Sequence, residues 1–196
     1  MPRKALSVAN RLGDEFRFIR TWVANPQGIG AVSPSSRALA RLMVRNARPD
    51  PAGWTLELGP GTGVVTQALV DAGIPPERIV SIEHNGDFCR LLRGRFPTMQ
   101  IVQGDAFDLD GALADFGDVR FSAALSGLPL LSFPKERRRA CVESVLDRLV
   151  RGGSMVQFSY GLGGPLAPVP GRIAVARSKW VVLNLPPARA WSYSRP

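Results

Sequence analysis

The sequence predicts an α/β fold built on a mostly parallel, doubly wound sheet. Between residues 54 and 159, short apolar runs alternate with segments of helical period, the pattern that places helices on both faces of parallel strands. A glycine-rich turn follows the first run and acidic residues stand at the ends of the next two, at the edge where such sheets bind ligands. At 196 residues the chain is long enough for one domain of this kind and too short for two ordinary ones.

Residues 5–23 place Val8, Leu12, Phe16, Ile19 and Val23 at helical spacing, with Phe18 and Trp22 beside them, and read as an amphipathic helix. Asn25-Pro26-Gln27-Gly28-Ile29-Gly30 breaks it. Ser33-Pro34-Ser35-Ser36 then looks like the capped start of a second helix running through Met43 to Asn46. The expected order continues as strand Trp54 to Leu58, helix Gly63 to Ala72, strand Ile79 to Glu83, helix Asp87 to Arg95 and strand Met99 to Gln103. A strand over Phe121 to Ser126, a helix over Pro134 to Val150 and a strand over Ser154 to Ser159 follow. Gly161 to Gly171 is too rich in Gly and Pro for a helix and reads as an active-site loop. Trp180 to Leu185 and Arg189 to Ser194, joined around Pro186-Pro187, are expected to close the sheet as an antiparallel pair.

Composition narrows the function classes. Hydrophobic residues at 45% and charged residues at 21% are near globular averages, which argues against wholesale disorder and against an integral membrane protein. The longest apolar stretch, Val119 to Leu131, is interrupted by Arg120, Ser122, Ser126, Gly127 and Pro129, so no transmembrane helix is expected. Arg3 and Lys4 are followed by no uninterrupted apolar run, so no secretory signal is expected. Cys89 and Cys141 lack a motif spacing and read as reduced residues of a cytosolic protein; with a single histidine, no metal is expected. Charge is uneven: residues 1–48 hold nine Lys or Arg against Asp14 and Glu15, which is seven of the net +9. A basic arm on a neutral domain is the footprint of a polyanionic partner, either an anionic membrane or a nucleic acid.

The chemistry-bearing residues cluster between 57 and 105. Glu57-Leu58-Gly59-Pro60-Gly61-Thr62-Gly63 spans the first strand-to-helix turn, where glycines let the backbone turn sharply and approach a ligand closely. Val64 stands where a dinucleotide fingerprint needs its last glycine, which weakens a nicotinamide reading. The acid ahead of the glycines suits a zwitterionic amino acid moiety better than a pyrophosphate. Glu83, twenty residues after Gly63, ends the second strand, where a carboxylate accepts both hydroxyls of a ribose. Asp105, in Gly104-Asp105-Ala106, is placed to accept from an adenine amine.

These residues resemble the class I S-adenosylmethionine-dependent methyltransferases, and the resemblance covers about residues 33–195. It implies a Rossmann-like domain, S-adenosylmethionine as cofactor and S-adenosylhomocysteine as product. It implies further that Glu57, Gly59, Gly61 and Thr62 line the methionine and ribose pocket, that Glu83 holds the ribose and that Asp105 and Ala106 sit at the adenine. His84, just after the ribose acid, fits an adenine contact or simple packing, and Ser126 falls beside the transferring methyl group.

The acceptor is read from Ser126-Gly127-Leu128-Pro129-Leu130. Base-modifying adenine methyltransferases carry Asn or Asp here, then Pro, then a Tyr or Phe that stacks on the flipped base. With Leu128 before Pro129 and Leu130 after it, the stacking ring is missing. A ribosomal RNA adenine dimethyltransferase is therefore the alternative rather than the first reading. Gly30 to Ser36, Glu57 to Gly63, Ser126 to Pro129, Val156-Gln157-Phe158-Ser159-Tyr160-Gly161 and Asn184-Leu185-Pro186-Pro187-Ala188 together resemble the bacterial phospholipid N-methyltransferases. That resemblance implies conversion of phosphatidylethanolamine, through its mono- and dimethyl forms, to phosphatidylcholine. It also implies a monomeric cytoplasmic enzyme lying peripherally on the inner face of the cytoplasmic membrane, with no nucleic-acid partner.

The residues agree on the membrane. A basic amphipathic arm over residues 1–32, ahead of a catalytic domain over 33–196, sets Phe16, Phe18 and Trp22 against the acyl boundary and Arg11, Arg17 and Arg20 against anionic head groups. The same pattern fits a helix packed on the sheet with its arginines solvated, since Glu15 falls within the apolar side. Tyr160 is the expected catalytic residue together with Ser126, accepting a hydrogen bond from the amine and facing the developing cation with its ring; a tyrosine packed at a sheet edge is the plainer reading. Ser35 and Ser36, with Gly127 and Leu128, are expected to bind substrate, or, for the two serines, to cap their helix. Arg189, Trp191 and Tyr193 alternate and share one face, which fits core as well as site.

Overall fold

The computed structural model describes residues 34–160, 163–182 and 187–196, with side chains from residue 37 onward. The expected arm over 1–32, Ser33, Gly161, Leu162 and Asn184-Leu185-Pro186 lie outside these residues, as do the side chains of Ser35 and Ser36. The first element is helix α1, Pro34–Ala47. Leu39, Ala40, Met43, Val44 and Ala47 are buried while Arg37, Arg41 and Arg45 face solvent, the division an amphipathic helix makes at a 3.6-residue period. Burial of each larger apolar side chain here stabilises by about 1.5–3 kcal/mol.

Strand β1 spans Trp54–Leu58, β2 Ile79–Glu83 and β3 Gln100–Gln103. Between them run α2, Val64–Asp71, and α3, Gly86–Arg95. Asn85 caps α3 by accepting from the Asp87 and Phe88 amides, satisfying donors that a helix start leaves free. A short helix α4, Leu109–Ala112, precedes β4, Phe121–Ser126; α5, Lys135–Asp147, leads into β5, Leu149–Ser159. Strands β6, Ala174–Arg177, and β7, Arg189–Ser194, complete one sheet in the order β3-β2-β1-β4-β5-β7-β6. The first five strands are parallel, and β7 is antiparallel to both β5 and β6.

Side-chain alternation divides the interior into two cores. Leu56, Leu58, Val80 and Ile82 pack with Val142, Val145 and Leu146 of α5 and with Trp191 and Tyr193. Ile79, Ala123, Leu125 and Val156 pack on the other face with α1, Leu69 of α2 and Leu92 of α3. Cys89 and Cys141 are buried and unpaired. Among the described residues no helix is long and apolar enough to cross a membrane.

Two boundaries differ from expectation. β5 begins at Leu149, not Ser154: Leu149 pairs with Phe121, and pairing resumes at Ser154 and Ala123 after an irregularity containing Gly152 at φ 82°. Val145, Leu146 and Leu149 continue a helical spacing in the sequence, which disguises the turn. The edge strand that pairs with β7 is Ala174–Arg177; of the expected strand Trp180 to Leu185, Val181 makes an isolated antiparallel bridge to Ala188, and residues 183–185 lie outside the described residues. Three of the four β6 positions are exposed, so this edge strand lacks the apolar alternation that reveals a half-buried one.

The parallel strands stay tied beyond their last residues. The Gly127 amide donates to the Leu58 carbonyl at 2.8 Å, Gly59 to Ile82 at 2.9 Å and Gly104 to Glu83 at 3.0 Å. A Cβ on Gly127 would stand 2.5 Å from the Gly59 carbonyl oxygen, closer than any van der Waals contact allows. Gly127→Ala is therefore expected to destabilise the fold by about 1–3 kcal/mol through overpacking, read as a lowered midpoint in thermal or urea unfolding.

Candidate active site

Strand order reverses between β1 and β4, and the carboxyl edge at such a point is where doubly wound sheets hold a ligand crevice. Gly59, Gly61 and Gly63 have φ of 64°, 56° and 82°, a left-handed backbone that side chains disfavour. A Cβ at Gly63 would also meet Leu92 Cδ2 at 2.8 Å. The turn therefore lies flat against α3, and Arg95 of α3 donates to the Thr62 carbonyl.

Glu83 is oriented by backbone alone: its Oε2 accepts from the Gly61 amide at 3.0 Å and its Oε1 from the Asn85 amide at 2.8 Å. Each oxygen keeps a second acceptor site, so the carboxylate is both fixed and able to receive a vicinal diol. His84 is exposed beside it. Asp105 Oδ1 accepts from the Phe107 amide at 2.9 Å, and Oδ2 lies 3.7 Å from Arg137 Nη2. The Arg137 guanidinium sits over the rings of Phe107 and Phe133, and Ala106 is buried behind them. These residues fit the nucleoside half of S-adenosylmethionine: a turn that admits close backbone approach, a fixed diol acceptor and a second carboxylate one strand further along.

Glu57 does not line this crevice as expected. It is 1% exposed on the sheet face beneath α2, where its Oε2 accepts from Thr66 Oγ1 at 2.7 Å and Ser81 Oγ at 2.8 Å. It ties β1, β2 and α2 together under the glycine turn. Its Oε1 is buried without a partner, and burial pushes the carboxyl up from 4.5 to about 7 against the pull of the two hydroxyls.

Ser126 is likewise turned inward. It is 0% exposed, and its Oγ accepts from the Leu128 amide at 3.3 Å, shaping the loop rather than reaching a reacting atom. That corrects its expected catalytic and cofactor contact to a positioning role. The loop it holds does reach a cleft: Gly127, Leu128, Pro129 and Leu130 form one wall, and Gln157, Phe158, Ser159, Tyr160 and Pro165 form the other. Tyr160 packs edge-on against Phe158, centroids 5.5 Å apart. The fold thus brings Gly127, Leu128 and Tyr160 together as expected.

Gln157 escaped the sequence reading. At 1% exposed, it donates through Nε2 to the Leu128 and Phe158 carbonyls, both at 2.9 Å, and its Oε1 is buried without a partner. A polar residue between Val156 and Phe158 was the available signal. Among the described residues no group of His, Cys, Asp and Glu is arranged to hold a metal ion.

No protein-family profile matches the chain. It is 36% identical over 149 residues to an ornithine lipid N-methyltransferase of Singulisphaera acidiphila, covering 74% of this chain and 78% of that one. It is 38% identical over 92 residues to the ribosomal RNA small subunit methyltransferase A of a Synechococcus strain, covering 45% of this chain and 30% of that enzyme. In three dimensions it resembles a glycopeptide N-methyltransferase complexed with S-adenosylmethionine, with a TM-score of 0.57 at 15% identity over 85% of this chain and 100% of the other. That likeness shows the fold.

The Glu57 environment has a measurable signature. A carboxyl raised from 4.5 to about 7 on folding contributes stability that is full below its unfolded value and lost as pH rises through the folded one. Wild type is expected to lose about 3 kcal/mol relative to Glu57→Gln between pH 4.5 and 8. Urea unfolding of the two proteins across that range checks this; parallel stability curves would contradict it.

Proposed function

Because the chain belongs to the family of S-adenosylmethionine-dependent N-methyltransferases that includes the ornithine lipid enzyme, we propose that it methylates the amine of a membrane lipid head group. S-adenosylmethionine is its cofactor. The finer reading is stepwise methylation of phosphatidylethanolamine, through the mono- and dimethyl forms, to phosphatidylcholine. Ornithine lipid is the second acceptor to weigh, on the strength of 36% identity to an enzyme of that name. The observation that carries a lipid rather than a base is the apolar wall of the acceptor cleft, with Leu128, Leu130 and Leu131 around Pro129, where Leu130 stands in place of the ring that stacks on a flipped nucleotide. The ribosomal RNA methyltransferase likenesses span 38% to 53% of this chain.

The bound cofactor supplies an electrophilic methyl on a sulfonium, so that a new N–C bond forms as the S–C bond breaks and S-adenosylhomocysteine departs. The chain's residues have three tasks. The glycine turn and Glu83 place the methyl donor. The loop held by Ser126 and Gln157 walls the acceptor from bulk water, which favours a neutral amine over an ammonium ion. Tyr160 orients the amine by accepting an N–H hydrogen bond through its oxygen, and its ring faces the positive charge that grows on nitrogen. The basic amphipathic segment over residues 5–23 lays the enzyme on an anionic bilayer as a monomer on the cytoplasmic face.

Incubation with labelled S-adenosylmethionine and vesicles of phosphatidylethanolamine or ornithine lipid tests the acceptor. Mono-, di- and trimethylated lipid is expected; labelled RNA with no labelled lipid would overturn the reading. In the same assay Tyr160→Phe is expected to lower kcat by about 10–100-fold with cofactor affinity retained. Removal of residues 1–24 is expected to abolish flotation with anionic vesicles, and undiminished flotation would remove the arm from the account.

A further inference from the structure

We propose that Arg189, held against Trp180 beside the acceptor cleft, binds the oxyanion of the lipid head group, a phosphodiester or a carboxylate. The proposal rests on the lipid-amine reading above and deepens it. Arg189 Cζ lies 3.9 Å from the centroid of the Trp180 ring and 5.6 Å from that of Trp191. Stacking fixes the plane of a guanidinium while leaving its edge to meet an oxyanion with two parallel hydrogen bonds.

What distinguishes this arginine is its lack of a polar partner among the described residues. Three arginines of the elements around it are committed: Arg137 to Asp105, Arg138 to the Phe133 and Pro165 carbonyls, Arg95 to the Thr62 carbonyl. Arg189 enters none of the ion pairs among the described residues, and its Nε is buried with no hydrogen-bond partner. A buried donor left unmade is costly, and a guanidinium has five donors to satisfy.

Its position matches the task. Arg189 is the register partner of Ser159, which lines the cleft next to Tyr160. Two residues along the same face of β7, Trp191 carries another buried and unpartnered donor, Nε1; its register partner Gln157 carries the unpartnered acceptor Oε1. Three unsatisfied polar atoms thus gather at the β5–β7 seam beside an otherwise apolar cleft. A zwitterionic head group lying over this strand edge has the complementary chemistry, with its amine at Tyr160 and its anion at Arg189, the cross-strand partner of the preceding residue, Ser159.

The test compares acceptors with and without an anion. The full chain, saturated with S-adenosylmethionine, is assayed in neutral detergent micelles on phosphatidylethanolamine, on ornithine lipid and on octadecylamine, which bears no anion. In Arg189→Gln the ratio of kcat/KM for the preferred anionic lipid over octadecylamine is expected to fall by about ten- to hundredfold. Arg189→Lys, which keeps the charge but not the fork, and Trp180→Leu, which removes the platform, are expected to fall in between. Whichever lipid shows the fall identifies the oxyanion as phosphate or carboxylate. A ratio unchanged in all three variants overturns the proposal, however much absolute activity each has lost, and leaves the lipid-amine reading standing. If wild type methylates none of the three acceptors, the lipid-amine reading fails. Tryptophan fluorescence, titrated with glycerophosphoethanolamine and with Nα-acetylornithine, then decides on Arg189 alone: quenching lost in Arg189→Gln sustains the site, and identical titrations reject it.

Discussion

The contact between Gly127 and the Gly59 carbonyl is the constraint from which the site's geometry follows. Two loops leave adjacent parallel strands at the same edge, one turning into α2 and the other towards α5, and they touch backbone to backbone. With 2.5 Å between a notional Cβ and the carbonyl oxygen, no side chain fits there. The same closeness lets the Gly127 amide reach the Leu58 carbonyl. The glycine turn after β1 and the loop after β4, to which the proposed function gives the methyl donor and the acceptor, are therefore held together. An in-line displacement gains most from this, because misplacement of either partner by about 1 Å can cost roughly a hundredfold in rate.

Polar groups divide along the edge by how they are satisfied. On the cofactor side, carboxylates are held by backbone amides: Glu83 by Gly61 and Asn85, Asp105 by Phe107. These amides belong to the turns that follow β1, β2 and β3, so the acceptors are oriented by backbone before a ligand arrives. On the acceptor side, Gln157, Arg189 and Trp191 each keep one buried polar atom without a partner. Beneath the glycine turn Glu57 Oε1 is also unpartnered, but at the β5–β7 seam the unmade bonds lie at the positions where a head group would lie.

The sequence made the parallel part of the fold legible because buried strands and amphipathic helices write their periods plainly, as β2 and α1 do. The candidate cofactor residues Glu83 and Asp105 stand out for the same reason: they fall at or just after strand ends at short spacings. Which way a side chain turns was not. Glu57 and Ser126 stand in the right motifs, yet both point into the interior, and only the alternation of the whole strand against α2 or its own loop decides that. β6 was hidden because an exposed edge strand has no apolar face to declare. Gln157 escaped, and Arg189 was left between core and site, because their meaning lies in partners that are missing, and a sequence records residues, not unmade hydrogen bonds.

The reversed strand explains where such a residue should be sought. In a doubly wound sheet, site residues gather at carboxyl ends, so attention falls on the last residue of each strand and the loop beyond it. β7 runs against its neighbours, and the edge that holds Tyr160 at the end of β5 holds Arg189 at the start of β7. The continuation of β7 descends into the core, where Tyr193 is fully buried. Shared face and alternate spacing thus group Arg189 with Trp191 and Tyr193 in the sequence, while strand direction separates them: the first stands at the functional edge, the last at the depth of the sheet. A cation at the beginning of the strand antiparallel to its neighbours is placed as a carboxylate would be at the end of a parallel one, at the edge where the proposed head group would lie.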